Sequence, residues 1–166
     1  LNSYKINCPQ PQKNKKGNFL IKIKNKTGSI VSFVEGKDKL KLKLKDCYEI
    51  GKNIARFHIA SKRIKLYRKN SLSLKEWPTL LKKIGNKSRI INPNLSSLMK
   101  KSFLEIKSKW PKKLPDGIIH ADLFIDNIFF KKNKFYGYID FYFACNDFFM
   151  YEIAICINCL LYTSPS

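Results

Sequence analysis

The chain has 166 residues, of which 44% are apolar and 27% charged, and its formal net charge is +21. This length and composition predict one globular domain, or a piece of a two-lobed one. The sequence has no run of about 18 or more apolar residues, so it predicts no membrane-spanning helix and no membrane partner.

The strong positive charge invites a nucleic-acid interpretation, which the residue types argue against. Arg is the residue preferred for bidentate contacts with phosphates and bases, yet only four of the 33 basic residues are Arg. The lysines are spread along the chain, and the alternating Lys and Leu of residues 37–45 suit a solvated edge strand or loop. We therefore expect no nucleic-acid partner.

The five cysteines have irregular spacing. An odd number without a regular framework is typical of reduced thiols, so we expect a cytoplasmic protein. Cys156 and Cys159 form a Cys-x-x-Cys pair. Without a second pair or a nearby His, this pair indicates helix packing rather than a metal site.

The first predicted element is a β-hairpin. Phe19–Ile23 and Ser29–Val34 are β-prone runs on either side of Asn25-Lys-Thr-Gly28. A helix is predicted next, from Asp46 to about Ala60, with Asp46 and Glu49 as a capping box.

That predicted helix places Ile50, Ile54 and Phe57 on one face, and His58 on or beside it as a packed histidine. Residues 62–75 are basic and aperiodic, which indicates a connecting loop. Arg68 in this loop could bind a substrate carboxylate with its guanidinium, or it could be an ordinary surface arginine.

A second long helix is predicted over Asn94–Trp110, before Pro111 and Pro115. Its apolar residues recur at helical spacing, which predicts a stripe that packs into the core. The stripe consists of Leu95, Leu98, Met99, Phe103 and Ile106.

The last third of the chain predicts a strand, a loop, a hairpin and a helix. Gly117–His120 is a short apolar run, and the loop of residues 121–126 follows it. Ile128–Lys131 and Phe135–Ile139 flank the polar Lys-Asn-Lys turn of residues 132–134, which predicts the hairpin. Asp147 is positioned to cap a final helix over residues 148–160.

The most informative residues of the chain lie in and around this hairpin. Asp122 precedes Asn127 by five positions, and Asp140 follows Asn127 by thirteen. This is the spacing of a kinase catalytic loop followed by a metal-binding Asp. The hairpin brings Asn127, before its first strand, next to Asp140, at the end of its second. One carboxylate can then meet a substrate hydroxyl, while an amide oxygen and a second carboxylate hold Mg²⁺.

Taken singly, these residues also fit an ordinary interpretation as turn and cap residues, because Asp and Asn are common in loops. Their joint spacing between apolar strands favours the site. His120 ends the apolar strand and is expected to brace the loop. Asp126 fits either a supporting position or a solvated one.

The stretch from Gly117 to Phe130 and the run Ile139-Asp-Phe-Tyr-Phe-Ala-Cys-Asn-Asp147 resemble the aminoglycoside and choline phosphotransferase family, within the protein-kinase-like fold. Within that family they are similar to the homoserine kinases. Weaker similarity reaches upstream, where Phe33-Val-Glu-Gly36 resembles the hinge between two lobes and 51–60 resembles the first C-lobe helix. The resemblance implies an α+β fold, with an incomplete N-lobe hairpin and a mainly helical C-lobe that carries the catalytic hairpin.

The resemblance also implies roles for the matching residues. Asp122 would be the catalytic base, Asn127 and Asp140 the Mg²⁺ ligands, and His120, Asp147 and Glu152 supporting residues. The implied reaction is ATP-dependent phosphorylation of the side-chain hydroxyl of L-homoserine, a step towards threonine. The adenine of ATP would meet the hinge backbone at Ser32, Phe33, Val34 and Glu35.

The chain departs from the family at Glu152, where Asp is usual, and it shows no Gly-rich loop among its seven glycines. We therefore expect a fragment with weak activity or none. Its parts would be a remnant of the N-lobe and hinge at 1–36, a C-lobe at 37–160 and a non-native tail at 161–166. Another hydroxyl kinase of the same fold, of the choline or aminoglycoside type, and an inactive nucleotide-binding fragment remain alternatives. The sequence leaves the oligomeric state open.

Overall fold

The computed structural model describes Leu1 and residues 4–161, with side chains described as far as residue 158. The expected α+β class is confirmed. The strands are β1 (Ile21–Ile23), β2 (Lys26–Gly28), β3 (Asp116–Ile119), β4 (Ile128–Lys131), β5 (Lys134–Tyr138) and β6 (Cys145–Phe148). The helices are α1 (Leu44–Ser61), α2 (Trp77–Ile84), α3 (Leu95–Lys109) and α4 (Phe149–Leu161), with 3-10 turns at Gly85–Ile90, Ile125–Asn127 and Phe141–Phe143.

In the described part of the chain the strands form antiparallel pairs. β4 pairs with β5 as the predicted hairpin, and Ile128 lies opposite Tyr138. β3 pairs with β6, a strand that the sequence did not predict, and Ile119 lies opposite Cys145. The 121–126 loop therefore leaves β3 at the end where β6 begins.

The predicted N-terminal hairpin is wrong in its second strand. The chain turns back through residues 24 and 25, so that β1 pairs with Lys26–Gly28. Lys24 in this turn is in the left-handed region at φ 54°. Residues 30–32 pair instead with residues 10–12, through Gln12 N–H to Ile30 O and Ser32 N–H to Gln10 O, both at 2.8 Å. Residues 30–32 therefore pair with a segment that is distant in sequence, which local turn signals cannot predict.

Helix α1 carries the core. Ile50, Ile54 and Phe57 are at most 2% exposed, as their spacing predicts. They pack with buried residues from the N-terminal segment, the 121–126 loop, the hairpin and α4, namely Ile6, Leu123, Ile128, Phe130, Tyr138 and Cys156. The predicted capping box is wrong, because the helix begins at Leu44 and Asp46 accepts the Lys43 N–H at 3.0 Å.

Helix α3 has the predicted limits, but its apolar stripe is not core. No residue of α2 or α3 is buried. Leu98 is 58% exposed and Ile106 40%, and the stripe lines an open groove against Trp77, Leu80, Leu81 and Ile84 of α2. Periodicity identified the apolar face correctly and could not show how much of it another element covers.

Extra backbone pairs flank the hairpin on both sides. Asn7 bridges Gly137 of β5, and Lys37 bridges Phe130 of β4. A Cβ on Gly137 would lie 2.4 Å from Asn7 O, and one on Gly36, at φ 112°, would lie 2.7 Å from Phe130 O. Both close approaches require glycine. Ile6 belongs to the same buried core as α1. The predicted boundary between an N-lobe remnant that ends at residue 36 and a C-lobe that begins at residue 37 stays a prediction.

Helix α4 begins one residue later than predicted. Asp147 lies in β6, and its carboxyl group accepts the N–H of Phe148 at 2.7 Å rather than an N–H of the first helical turn. The expected cap is therefore wrong. None of the helices in the described ranges combines the length and apolar character needed to cross a membrane. Of the expected tail at 161–166, Leu161 ends α4, and residues 162–166 lie outside the described residues.

Candidate active site

The 121–126 loop begins with a strained residue that is held in place. Ala121 has φ 66°, a left-handed conformation that residues with a side chain rarely adopt. Its N–H donates to Oε1 of Glu152 at 2.8 Å. This contact fixes the turn by which the chain passes from β3 to Asp122.

Glu152 is fully buried in α4 and reaches two elements at once. Its Oε1 binds the Ala121 N–H, and its Oε2 lies 2.9 Å from Nε2 of His58 in α1. The His58 ring also stacks on Phe149 at a centroid distance of 4.3 Å. The Glu152 side chain thus links the loop to α1. His58 is a supporting residue that the sequence did not assign, because its partner lies 94 positions away.

His120 ties the loop to the hairpin. Its Nε2 lies 2.7 Å from the carbonyl oxygen of Ile139, the residue before Asp140. Burial lowers the pKa of His120 below its ordinary value, so the ring is neutral at pH 7 and Nε2 carries the proton that it donates. This geometry is the bracing contact expected for His120.

Asp122 and Asn127 contact each other directly. The amide nitrogen of Asn127 donates to the backbone oxygen of Asp122 at 2.8 Å and to its Oδ2 at 3.2 Å. The amide oxygen of Asn127 must then point the other way. The Asn127 backbone oxygen accepts the N–H of Ile139 at 3.1 Å, which brings the start and end of the hairpin together.

Asp140 completes the cluster at the end of the hairpin. Its backbone is left-handed at φ 58°, its side chain is exposed, and Oδ1 accepts the Tyr142 N–H at 3.3 Å. Its negative charge contributes to raising the pKa of Asp122. The structure therefore brings the three predicted residues Asp122, Asn127 and Asp140 into one site.

The donor set suits a hard cation with further ligands from phosphate and water. In the residues that the structure describes, no three His, Cys, Asp or Glu side chains form a metal cluster. The site offers carboxylate oxygens and one amide oxygen, which Mg²⁺ prefers. The amide orientation of Asn127, set by its two bonds to Asp122, leaves Oδ1 for such a cation.

The pKa of Asp122 is raised above its ordinary value, first by burial and also by Asp140 and Asp126, while His120 and the hydrogen bond from Asn127 lower it. We expect Asp140→Asn to lower the Asp122 pKa, because it removes a negative charge. Asn127→Ala is expected to raise it, because the carboxylate loses a donor. Carbon-detected NMR titration of the Asp122 carboxyl group measures both. Shifts in the same direction would contradict this arrangement.

The predicted hinge residues line a cleft, but not all of their backbone is available. Ser32, Phe33 and Val34 face Asn7, Cys8, Gln10 and Tyr136 across it. The Ser32 N–H already donates to Gln10 O, and its Oγ accepts the Gln10 N–H. Glu35 directs its side chain to Lys131 of β4. The Ser32 N–H is therefore not free for the expected contact with a nucleotide base, and Phe33, Val34 and Glu35 remain the candidates for it.

Asp147 and Arg68 lie on the far side of β6 from β3. Asp147 Oδ2 accepts from the Asn70 amide at 2.7 Å. The guanidinium of Arg68 donates to the backbone oxygens of Tyr142 and Ala144, just after Asp140. Asp147 therefore supports the segment around Arg68, and no sequence signal indicated Asn70 as its partner.

Comparison with known proteins identifies the fold. The fold is that of the kinase-like phosphotransferases. The amicoumacin kinase hAmiN, solved with AMP-PNP, Ca²⁺ and Ami, matches with a TM-score of 0.73 at 17% identity, over 99% of this chain and 52% of that one. The gentamicin complex of APH(2″)-IIa matches with a TM-score of 0.64 at 14% identity, over 95% of this chain and 57% of that one.

Sequence similarity identifies the family within this fold. The model of the APH phosphotransferase enzyme family matches residues 20–165, and the chain belongs to this family. Homoserine kinase from Parvibaculum lavamentivorans is 40% identical over 153 residues, 92% of this chain and 48% of that protein. Homoserine kinase from Nitrobacter winogradskyi is 37% identical over 158 residues, 95% and 48%. The chain thus spans about half the length of these curated relatives.

Proposed function

We propose that the complete protein containing this chain transfers the γ-phosphoryl group of ATP to the side-chain hydroxyl of L-homoserine. Asp122 accepts the hydroxyl proton or orients the hydroxyl for attack. Asn127 and Asp140 would hold Mg²⁺, and the ion would supply neutralisation of the charge that develops during phosphoryl transfer. The hinge backbone from Phe33 to Glu35 receives the adenine.

The contact between Asn127 and Asp122 is the observation that carries this proposal. The amide nitrogen of Asn127 donates to the candidate base, so its oxygen points away from Asp122 and is available to a cation. Phosphoryl transfer depends on positioning and charge stabilisation, and well-oriented groups can lower a barrier by about 7–11 kcal/mol. A base held beside a metal site is the arrangement that this chemistry requires.

The names of the relatives support homoserine as the acceptor. The matched structures, at 17% identity or less to this chain, support the fold alone. Those matched structures are kinases of much larger alcohols, amicoumacin and an aminoglycoside. Another small-molecule hydroxyl kinase is therefore the second candidate. An inactive nucleotide-binding fragment is the third, and it applies to the 166-residue chain alone.

An acceptor panel tests the proposal. The complete protein is incubated with ATP, Mg²⁺ and either L-homoserine, choline or gentamicin, and ADP release is measured with and without acceptor. We expect homoserine-dependent turnover that Asp140→Ala reduces together with Mg²⁺–ATP affinity. Preference for choline or gentamicin would replace the assigned acceptor. Mg²⁺-dependent ATP binding without turnover of any acceptor would favour an inactive nucleotide-binding protein.

A further inference from the structure

We propose that Arg68 binds the carboxylate of the acceptor, and that the acceptor lies at the mouth of a narrow cleft beside the 121–126 loop. The inference rests on the proposed function and adds to it the residue that recognises the carboxylate of the acceptor. The residues of the cleft, their hydrogen bonds and their charges carry it.

The segment of residues 68–70 is held as an extra strand at the open edge of β6. Lys69 bridges Asn146 in parallel. The Arg68 N–H donates to Oδ1 of Asn146, and the Asn146 N–H donates to the Arg68 oxygen, both at 2.8 Å. The Asn70 amide adds its bond to Asp147. Backbone and side-chain bonds thus fix the position of Arg68 relative to β6.

The cleft joins this segment to the candidate catalytic loop. One wall is Arg68 to Leu72, and the opposite wall contains Ala121, the residue before Asp122. Phe143, Cys145 and Tyr151 complete the lining. The interior of the cleft holds only about 20 Å³, room for about one water molecule. An acceptor would therefore lie at the open mouth of the cleft, beside Arg68, rather than inside it.

The Arg68 guanidinium has hydrogen-bonding capacity left over. One terminal nitrogen, Nη1, donates to the backbone oxygens of Tyr142 and Ala144. Within the described residues, Nη2 and Nε make no hydrogen bond, and no carboxylate forms an ion pair with this side chain. A guanidinium presents five donors in a planar fork that matches a carboxylate. The free edge of Arg68 is therefore suited to an anionic group at the rim of the cleft.

The same side chain links the acceptor to the metal site. Arg68 holds the carbonyl oxygens of the segment that follows Asp140, and Asp140 itself accepts the Tyr142 N–H. An acceptor carboxylate on the free edge of Arg68 would lie on a residue that also positions this segment. Arg68 is thus a specificity-determining residue for the acceptor and a positioning residue for Asp140.

A pair of acceptors separates these two roles. L-homoserine and 3-aminopropan-1-ol differ by the carboxylate alone. We expect Arg68→Ala in the complete protein to reduce kcat/KM for homoserine about 10- to 100-fold, the loss typical of charge-assisted hydrogen bonds. The value for 3-aminopropan-1-ol is expected to change far less. Arg68→Lys keeps the charge without the fork and is expected to recover part of the homoserine value.

Arg89→Ala is the matched control, because Arg89 is exposed and outside the cleft. Equal losses for the two acceptors in Arg68→Ala would show a purely structural role and overturn the inference. Wild-type protein that uses 3-aminopropan-1-ol as well as homoserine would also overturn it, while the kinase function would stand. Absence of phosphorylation with either acceptor would overturn the inference and the proposed function together.

Discussion

Asp122→Asn in the complete protein is expected to reduce homoserine-dependent turnover by roughly 100- to 10,000-fold, the usual contribution of a positioned acid–base group. ATP affinity should change little, because Asp122 faces Asn127 and the acceptor rather than the nucleotide base. The substitution keeps the size of the side chain and removes its capacity to accept a proton. Steady-state kinetics gives the turnover, and calorimetric titration with ATP and Mg²⁺ gives the affinity.

Asp126→Asn is the control for this effect. Asp126 lies in the 3-10 turn at the end of the same loop, is exposed, and makes no hydrogen bond among the described residues. The Asp126→Asn substitution changes the charge of the loop by the same amount as Asp122→Asn, and it should leave turnover within a few-fold of wild type. Comparable losses in both variants would mean that loop charge, rather than a specific base, governs the rate.

Glu152→Ala is expected to lower the free energy of unfolding by roughly 3–5 kcal/mol, a large effect for one substitution. The change opens a cavity where a side chain is 0% exposed. It also leaves the Ala121 N–H and the His58 ring without their buried partner. Urea denaturation of the 166-residue chain, followed by circular dichroism, measures the difference.

Glu105→Ala is the matched control for that measurement. Glu105 pairs with Lys109 one turn along α3, and both side chains are exposed. An exposed pair at this spacing contributes about 0.3–0.5 kcal/mol, so the control should be close to wild type. A small effect of Glu152→Ala would show that α4 does not brace the loop. Glu152→Gln, which keeps the volume and one acceptor oxygen, should fall between the two.

The spacing of Asp122, Asn127 and Asp140 predicted their convergence because the intervening elements are short and local. A hairpin brings its two ends together, and β4 and β5 follow the predicted ranges within a residue. The contacts that support the site were not predicted, because they join segments that are distant in sequence. His58 meets Glu152 across 94 positions, and Asn70 meets Asp147 across 77.

In the fold too, local patterns predicted the elements, and contacts between distant segments were not predicted. Periodicity located α1 and α3, since both have one apolar face. It failed where the outcome depends on which partner is available. Residues 30–32 paired with the N-terminal segment rather than with β1, and the α3 stripe was left facing a groove. Strand β6 was not predicted, because Cys-Asn-Asp-Phe has no alternating pattern. It forms a strand by pairing with β3.

The bond from the Ala121 N–H to Glu152 has a consequence for hydrogen exchange. Because the same carboxylate also contacts His58, 94 positions away in α1, the Ala121 N–H loses its partner when α4 separates from the loop and from α1. Deuterium should therefore enter at the Ala121 amide no faster than at the innermost amides of α1. The residue next to the candidate base would open only when the whole molecule does.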